Sequence, residues 1–180
     1  MERYLSGDRL AFDQLFHRYA ARLHGWFLRT TGSEALAQDL VQQTFLHVHR
    51  ARADFRQGAP VRPWVFAIAA NVRRQHFRTR RRKPETLWDA ERHREPEVAP
   101  RVSTASERAI RGALGELSES AREVIVLHWY EGLSFREIAG VVGASHSAVK
   151  VRAHRAYKRL RELLEPTASH ETGERRTVES

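Results

Sequence analysis

The chain has 180 residues, enough for one ordinary domain or two small ones, and a small helical module has so thin a core that it leans on a neighbour or partner. With 31 Lys+Arg against 22 Asp+Glu the formal net charge is +9, which favours a polyanionic partner such as nucleic acid or an anionic membrane surface. Cysteine is absent, which excludes disulfides, thiolate zinc sites and cysteine nucleophiles. No run of eighteen apolar residues occurs, and Met1-Glu2-Arg3-Tyr4 leads straight into an amphipathic pattern, so a cytoplasmic protein without membrane insertion is expected.

Over residues 8–30 the apolar positions Phe12, Leu15, Phe16, Tyr19, Leu23, Trp26 and Phe27 recur at steps of three and four, which predicts a long helix with one buried face. Gly32 ends it and Ser33 caps a second helix reaching about residue 52, whose stripe is Leu36, Leu40, Val41, Phe45 and Val48, with Asp39, Gln42 and Gln43 on another face. Residues 54–60 hold a Gly and a Pro and read as a loop. Pro63 then suits the first turn of a third helix carrying Trp64, Ala67, Ile68 and Val72. Periodicity disappears over residues 84–105, where Pro84, Pro96 and Pro100 interrupt charges of both signs, and a flexible linker is expected there, Trp88 being its one large apolar side chain. Helical pattern resumes with Ile110, Leu114 and Leu117, then past a cap at Ser118 with Val124, Ile125, Leu127, His128 and Trp129, while the polar tail 166–180 reads as disordered. The expected architecture is all-α: two small helical domains, 1–83 and 106–165, joined by that linker.

The strongest pattern lies in the second domain. Ser134 and Glu137 are spaced as a capping box, Ala139 is small where two helices approach, Gly143 suits a tight turn of positive φ, and Ser145 caps the helix that follows. With Ile138, Val142 and Val149 as the apolar faces, this is a helix-turn-helix. Its second helix presents Lys150, Arg152, Arg155, Lys158, Arg159 and Arg161 with no acid between Ser145 and Arg161, as a helix that meets phosphates and base edges requires. A plain helical hairpin with a solvated basic face is the alternative, but cap, small residue, glycine turn and one-signed helix would all have to coincide.

A second basic surface precedes the linker. Between residues 60 and 83 stand Arg62, Arg73, Arg74, Arg78, Arg80, Arg81, Arg82 and Lys83, with no acid among them. The terminal cluster equally well complements the negative end of a helix dipole. Asn71, Arg74, Gln75 and Arg78 instead share one helix face by their steps of three and four, combining amide and guanidinium groups suited to nucleotides.

In their motifs and order, residues 7–164 resemble the extracytoplasmic-function sigma factors of bacterial RNA polymerase, in the sigma-70 family. Asp39-Leu40-Val41-Gln42-Gln43-Thr44-Phe45 is similar to that family's polymerase-binding helix. Pro63-Trp64-Val65-Phe66-Ala67-Ile68-Ala69-Ala70-Asn71 is similar to the start of its minus-ten helix, and the stretch from Leu117 to Arg161, with Tyr130-Glu131-Gly132-Leu133-Ser134 and Ala148-Val149-Lys150, to its minus-thirty-five module. The resemblance implies a factor that binds core RNA polymerase and directs promoter-specific initiation. It implies polymerase contacts at Asp39, Leu40, Gln42, Gln43 and Phe45, minus-ten contacts at Arg56, Asn71, Arg74, Gln75, Arg78 and Arg81, and upstream contacts at Ser147, Lys150, Val151, Arg152, His154, Arg155 and Lys158. The sequence departs from the family at Gln43, where an acid is usual, at His49, where Trp is common, and at Gln75, where Asp is common. An anti-sigma partner is a further implication, because the faces used for polymerase are exposed in the free protein.

A conventional helix-turn-helix regulator acting without polymerase is the alternative, and it leaves the first domain without a use. An enzyme acting on DNA is disfavoured: no Walker loop, His-Glu-x-x-His motif or acidic metal cluster occurs. His47 and His49 are two apart on a helix and do not face one another. No catalytic residue, metal or cofactor is expected.

Overall fold

The computed structural model describes residues 1–82 and 104–165, with the side chains of Arg81 and Arg82 left aside. Of the linker reading over 84–105, residues 84–103 lie outside the described residues, as does the tail reading over 166–180; Thr104 and Ala105 instead cap and begin α5. Among the described residues regular structure is entirely helical: α1 (Glu2–Leu5), α2 (Arg9–Thr31), α3 (Glu34–Arg50), α4 (Val61–Arg82), α5 (Ala105–Gly115), α6 (Glu119–Trp129), α7 (Phe135–Val142) and α8 (His146–Leu164), with a short 3-10 turn at Ala51–Asp54.

Local chemistry sets most of these ends. The Asp8 carboxylate accepts from the Leu10 and Ala11 amides to start α2, and Gly32, at φ 75°, closes it. Ser33 caps α3 as expected. Two features escape the sequence pattern: α1, too short to show periodicity, and the start of α5, where Thr104 and Glu107 form a reciprocal capping box. Ser118 precedes α6, but its side chain makes no capping hydrogen bond.

The first module is built on Leu23, Trp26 and Phe27 of α2, Leu40 and Val48 of α3, and Val65 and Phe66 of α4, all fully buried. Trp26 meets Phe66 edge-on at a centroid distance of 5.8 Å. Each such side chain contributes about 1.5–3 kcal/mol by leaving water. Phe16, placed on the buried stripe from sequence, is instead 39% exposed and lies against Phe45 at 4.6 Å.

The apolar core does not stop at the first module. It runs on without a break through Val124, Val126 and Leu127 of α6, Leu133, Ile138 and Val141 of the helix-turn-helix, and Val149 of α8. Helix α4 packs on α7 as extensively as on its own-module neighbour α3. A smaller cluster of Leu114, Leu117, Ile125 and Ala156 seats α5 against α6 and α8. Ala69 and Ala70, both fully buried, let α4 approach closely enough to serve both modules.

A shared core makes a definite prediction. Phe66→Ala in the first module and Ile138→Ala in the second should each remove about 2–5 kcal/mol. Each should shift one common urea transition, followed both by far-UV circular dichroism and by tryptophan fluorescence. Two separated transitions, only one of them moved by each substitution, would show that the modules unfold independently.

Candidate nucleic-acid interface

The helix-turn-helix forms as its sequence directs. Ser134 accepts from the Glu137 amide while the Glu137 carboxylate accepts from the Ser134 amide at 2.8 Å, fixing the start of α7. Gly143, at φ 66°, makes the turn, and Ser145 accepts from the Ala148 amide to start α8. Ile138 and Val149 are fully buried between the two helices, and Ala139 sits at their close approach; Val142 is only partly buried, and Val141 lies deeper.

On α8, Ser147, Lys150, Val151, His154, Arg155 and Lys158 are exposed and Arg152 is half-buried. Val149, Ala153 and Ala156 form the opposite, buried side. The face is therefore a strip of cations with Val151, 48% exposed, as an apolar element among them. Arg159 and Arg161 belong less to this strip, since they lean on Glu162 and Glu165 at 3.3 and 3.7 Å.

The residues to which the resemblance gives a minus-ten role divide differently. Asn71, Arg74, Gln75 and Arg78 all lie exposed on α4, as their spacing predicts. Arg56 is exposed in the turn after the 3-10 segment, where Gly58 at φ 77° and a bond from the Ala59 amide to the Arg56 carbonyl set the loop, and Phe55 is buried against Trp64. The run of eight cations is not one polyanion surface, however. Arg73 is 2% exposed and reaches into the second module, where it pairs with Glu119 and, at 3.2 Å, with Glu123. Arg62 donates to the Glu131 carbonyl at 2.8 Å. Arg74 donates to the carbonyls of Val142 (3.0 Å) and Val141 (3.3 Å) at the end of α7, and to Asn71 Oδ1 at 2.7 Å. The sequence shows charge but not which way a side chain points, so these three arginines could not be told apart from their neighbours.

Two further arginines join from α2. Arg22 Nε donates to the Glu131 carboxylate at 2.9 Å, and the Arg29 guanidinium lies 4.0 Å over the Tyr130 ring. Burial pushes the Glu131 carboxyl above its ordinary value of 4.5, outweighing the hydrogen bond and charge of Arg22 and the charges of Arg29 and Arg62.

On α3, Asp39, Gln42 and Gln43 are exposed on one face, and Leu46, 58% exposed, extends it by one step of the same spacing. Leu40 and Phe45 do not stand on that face. They are buried, because they belong to the apolar stripe that holds α3 to the core, and they support the surface from beneath. Leu46 was missed from sequence, although its step of three from Gln43 was the available signal. Among the described residues no group of three or more His, Cys, Asp or Glu could hold a metal ion, and no helix is long and apolar enough to cross a membrane.

Comparison with known proteins places these features. The family models described as sigma-70 region 2 and sigma-70 region 4 match residues 15–83 and 107–160. The RNA polymerase sigma factor CarQ of Myxococcus xanthus is 39% identical over 170 residues, covering 91% of this chain and 95% of that protein. The ECF RNA polymerase sigma factor SigM of Mycobacterium tuberculosis is 32% identical over 162 residues, covering 89% and 81%. Among solved structures, the sigma factor RpoE of Bartonella quintana, in complex with the anti-sigma factor NepR, superposes with a TM-score of 0.70 at 25% identity, covering 86% of this chain and 97% of that one.

The sign of the Glu131 shift gives a pH test. A carboxyl whose pKa is raised by folding contributes stability that is complete below pH 4.5 and is lost as the pH rises through its higher folded value. Glu131→Gln should flatten this part of the stability profile. Urea titrations of both proteins across that window read it, and parallel curves would show that Glu131 is not perturbed.

Proposed function

We propose, for a chain that belongs to the extracytoplasmic-function sigma factors of the sigma-70 family, a division of labour among three surfaces. The α3 face of Asp39, Gln42, Gln43 and Leu46 docks on core RNA polymerase. The α4 face of Asn71, Arg74, Gln75 and Arg78, with the basic end of α4 including Arg81 and the turn at Arg56, holds melted minus-ten DNA. The α8 strip of Ser147, Lys150, Val151, Arg152, His154, Arg155 and Lys158 reads the minus-thirty-five element. The observation that carries this reading is the one-signed, exposed face of α8, set on a capped turn in the same chain as a second helix of exposed amides and guanidiniums.

The chemistry of each surface supports its role. Guanidinium and ammonium groups on a helix inserted in the major groove bond base edges and phosphates, and an exposed valine suits a thymine methyl. Unpaired bases are held by a basic groove with amides and planar groups to meet them. Two weak contacts on one body then act together, so promoter selection resides in the pair. A chain of this kind works in the cytoplasm, where polymerase and DNA are, and performs no catalysis itself. The RpoE protein of Bartonella quintana is held by an anti-sigma factor, and we extend that mode of control to this chain, with the exposed α3 face as the surface to be covered.

Two substitutions separate reading from positioning. Arg155→Ala should reduce discrimination for the upstream element by about 1–3 kcal/mol, whereas Arg80→Ala should weaken binding about equally on all sequences and lower the salt slope by about one. Competition binding by the reconstituted holoenzyme on promoter and random DNA, over a salt series, measures both, and equal losses on both DNAs for both variants would defeat the assignment. Docking itself is read by gel filtration with bacterial core polymerase: the protein should co-elute, and Gln42→Arg should release it. A wild-type protein that bound DNA but ignored polymerase would favour a conventional regulator.

A further inference from the structure

A cleft of about 410 Å³ opens between α1, the start of α2 and the turn that carries Arg56. That volume falls within the ~300–1,000 Å³ of sites that enclose a small molecule. Its floor is apolar and fixed: Ala11, Leu15 and Phe55 line it, the last two 8% and 6% exposed. Its rim is polar, with Glu2 from α1 and Gln14 and Arg18 from α2. Gln14 and Arg18 are exposed and have no hydrogen-bond or ion-pair partner among the described residues, unlike Arg62, Arg73 and Arg74 on α4. Gly58 and Ala59 complete the lining, in the turn that the bond from the Ala59 amide to the Arg56 carbonyl holds.

The wall supplied by α1 is anchored. A four-residue helix has no stability of its own, yet Tyr4 is 5% exposed and its hydroxyl is hydrogen-bonded to His49 Nδ1 on α3 at 2.8 Å. Arg3 pairs with Asp8 at 2.7 Å, and Asp8 in turn caps α2, so α1 is tied to both neighbouring helices. His49 is one of the positions at which the sequence departs from the family, and α1 precedes the residues 15–83 that match sigma-70 region 2. The anchored wall therefore lies outside the matched region.

We propose that this cleft receives one unpaired base of the melted minus-ten strand, and that Glu2, Gln14 and Arg18 determine which base it accepts. The proposal rests on the reading of the Arg56 turn and the α4 face as holders of melted DNA. A planar base lays its face on the apolar floor, and its edge meets the rim. Carboxylate, amide and guanidinium groups tell base edges apart by their exocyclic amines and carbonyls, whereas contacts to phosphate carry no sequence information. The Glu2 carboxylate repels phosphate, so the rim suits a base edge and not the backbone. Arg56, exposed in the same turn, is placed for the adjoining phosphate. A base that is still paired and stacked cannot enter, which confines the contact to melted DNA.

The test uses the full chain assembled with core RNA polymerase and, as probe, a pool of bubble duplexes built on one mapped promoter, with the unpaired downstream element randomised. Sequencing of the bound DNA gives the base preference at each unpaired position. The wild-type holoenzyme should prefer one base by about tenfold at the position the cleft serves. Gln14→Ala/Arg18→Ala should bring that preference below about twofold at that position alone. Tyr4→Phe, which removes only the hydroxyl that anchors α1, should weaken the same preference about threefold while far-UV helicity and the thermal midpoint are retained. Unchanged preference in both variants would overturn the proposal, as would an equal loss on every sequence, which marks Arg18 as a backbone contact. Gln75→Ala/Arg78→Ala on α4 tests the underlying reading. If it leaves every unpaired position as in wild type, the minus-ten assignment fails and the cleft proposal with it. If it alters other unpaired positions while the cleft variants change nothing, the cleft proposal alone fails.

Discussion

Everything in this structure turns on one buried guanidinium. Arg73 sits on α4, is 2% exposed, and has its counter-charges on α6 in the other module. An ion sealed from water costs several kcal/mol unless it is paired, and leaving it without its partners costs about 3–5 kcal/mol. The side chain therefore ties the two halves of the sequence into one body. Around it, Phe66, Ala69 and Ala70 on one side and Ile138, Ala139 and Val141 on the other continue a single apolar core. Arginine suits the position, because its planar fork serves two carboxylates while its face lies against the aromatic rings of Trp26 and Phe77.

This constraint explains why α4 carries such different chemistry around its circumference. Its fully buried Val65 and Phe66 build the first module, Arg73 and Arg74 hold the second, and Gln75 and Arg78 face solvent. A helix used on three sides cannot give all its cations to DNA. Helix α8 has a simpler task. One side, Val149, Ala153 and Ala156, is buried, and the remainder is a strip that carries positive charge outward. Helix α8 thus presents its cationic face fully, whereas the α4 face of Asn71 and Arg74 is partly engaged within the chain.

What the sequence disclosed follows from the range of the forces involved. Capping, turn and periodicity signals act within a few residues, so Ser33, Ser134, Gly143 and Ser145 announced their roles, and every long helix was foreseen. α1, with four residues, had no period to reveal, and Ser118 had the right identity without making the bond. Burial depends on partners far along the chain, and there the reading failed in particular places. Leu40 and Phe45 lie beneath the face they were assigned to, and Phe16 is more exposed than its stripe implied. That a thin-cored module leans on a neighbour was expected from size, but the residues through which the modules dock were not legible. Arg22 bonds Glu131 and Arg62 bonds its carbonyl across separations of 109 and 69 residues, and nothing local marks either pair. Charge counting pointed only to a polyanionic partner, nucleic acid or membrane surface, and could not show that three of the arginines before the linker are engaged within the chain.

The most direct test of a two-surface initiation factor is to map the 5′ ends of transcripts made from a genomic DNA pool by core RNA polymerase with and without the protein. Protein-dependent, discrete start sites are expected, each preceded by two shared sequence elements at fixed spacing. Arg155→Ala should erase the upstream element from the selected set and leave the downstream one. Start sites no different from those of core polymerase alone, or sites sharing a single element, would contradict it.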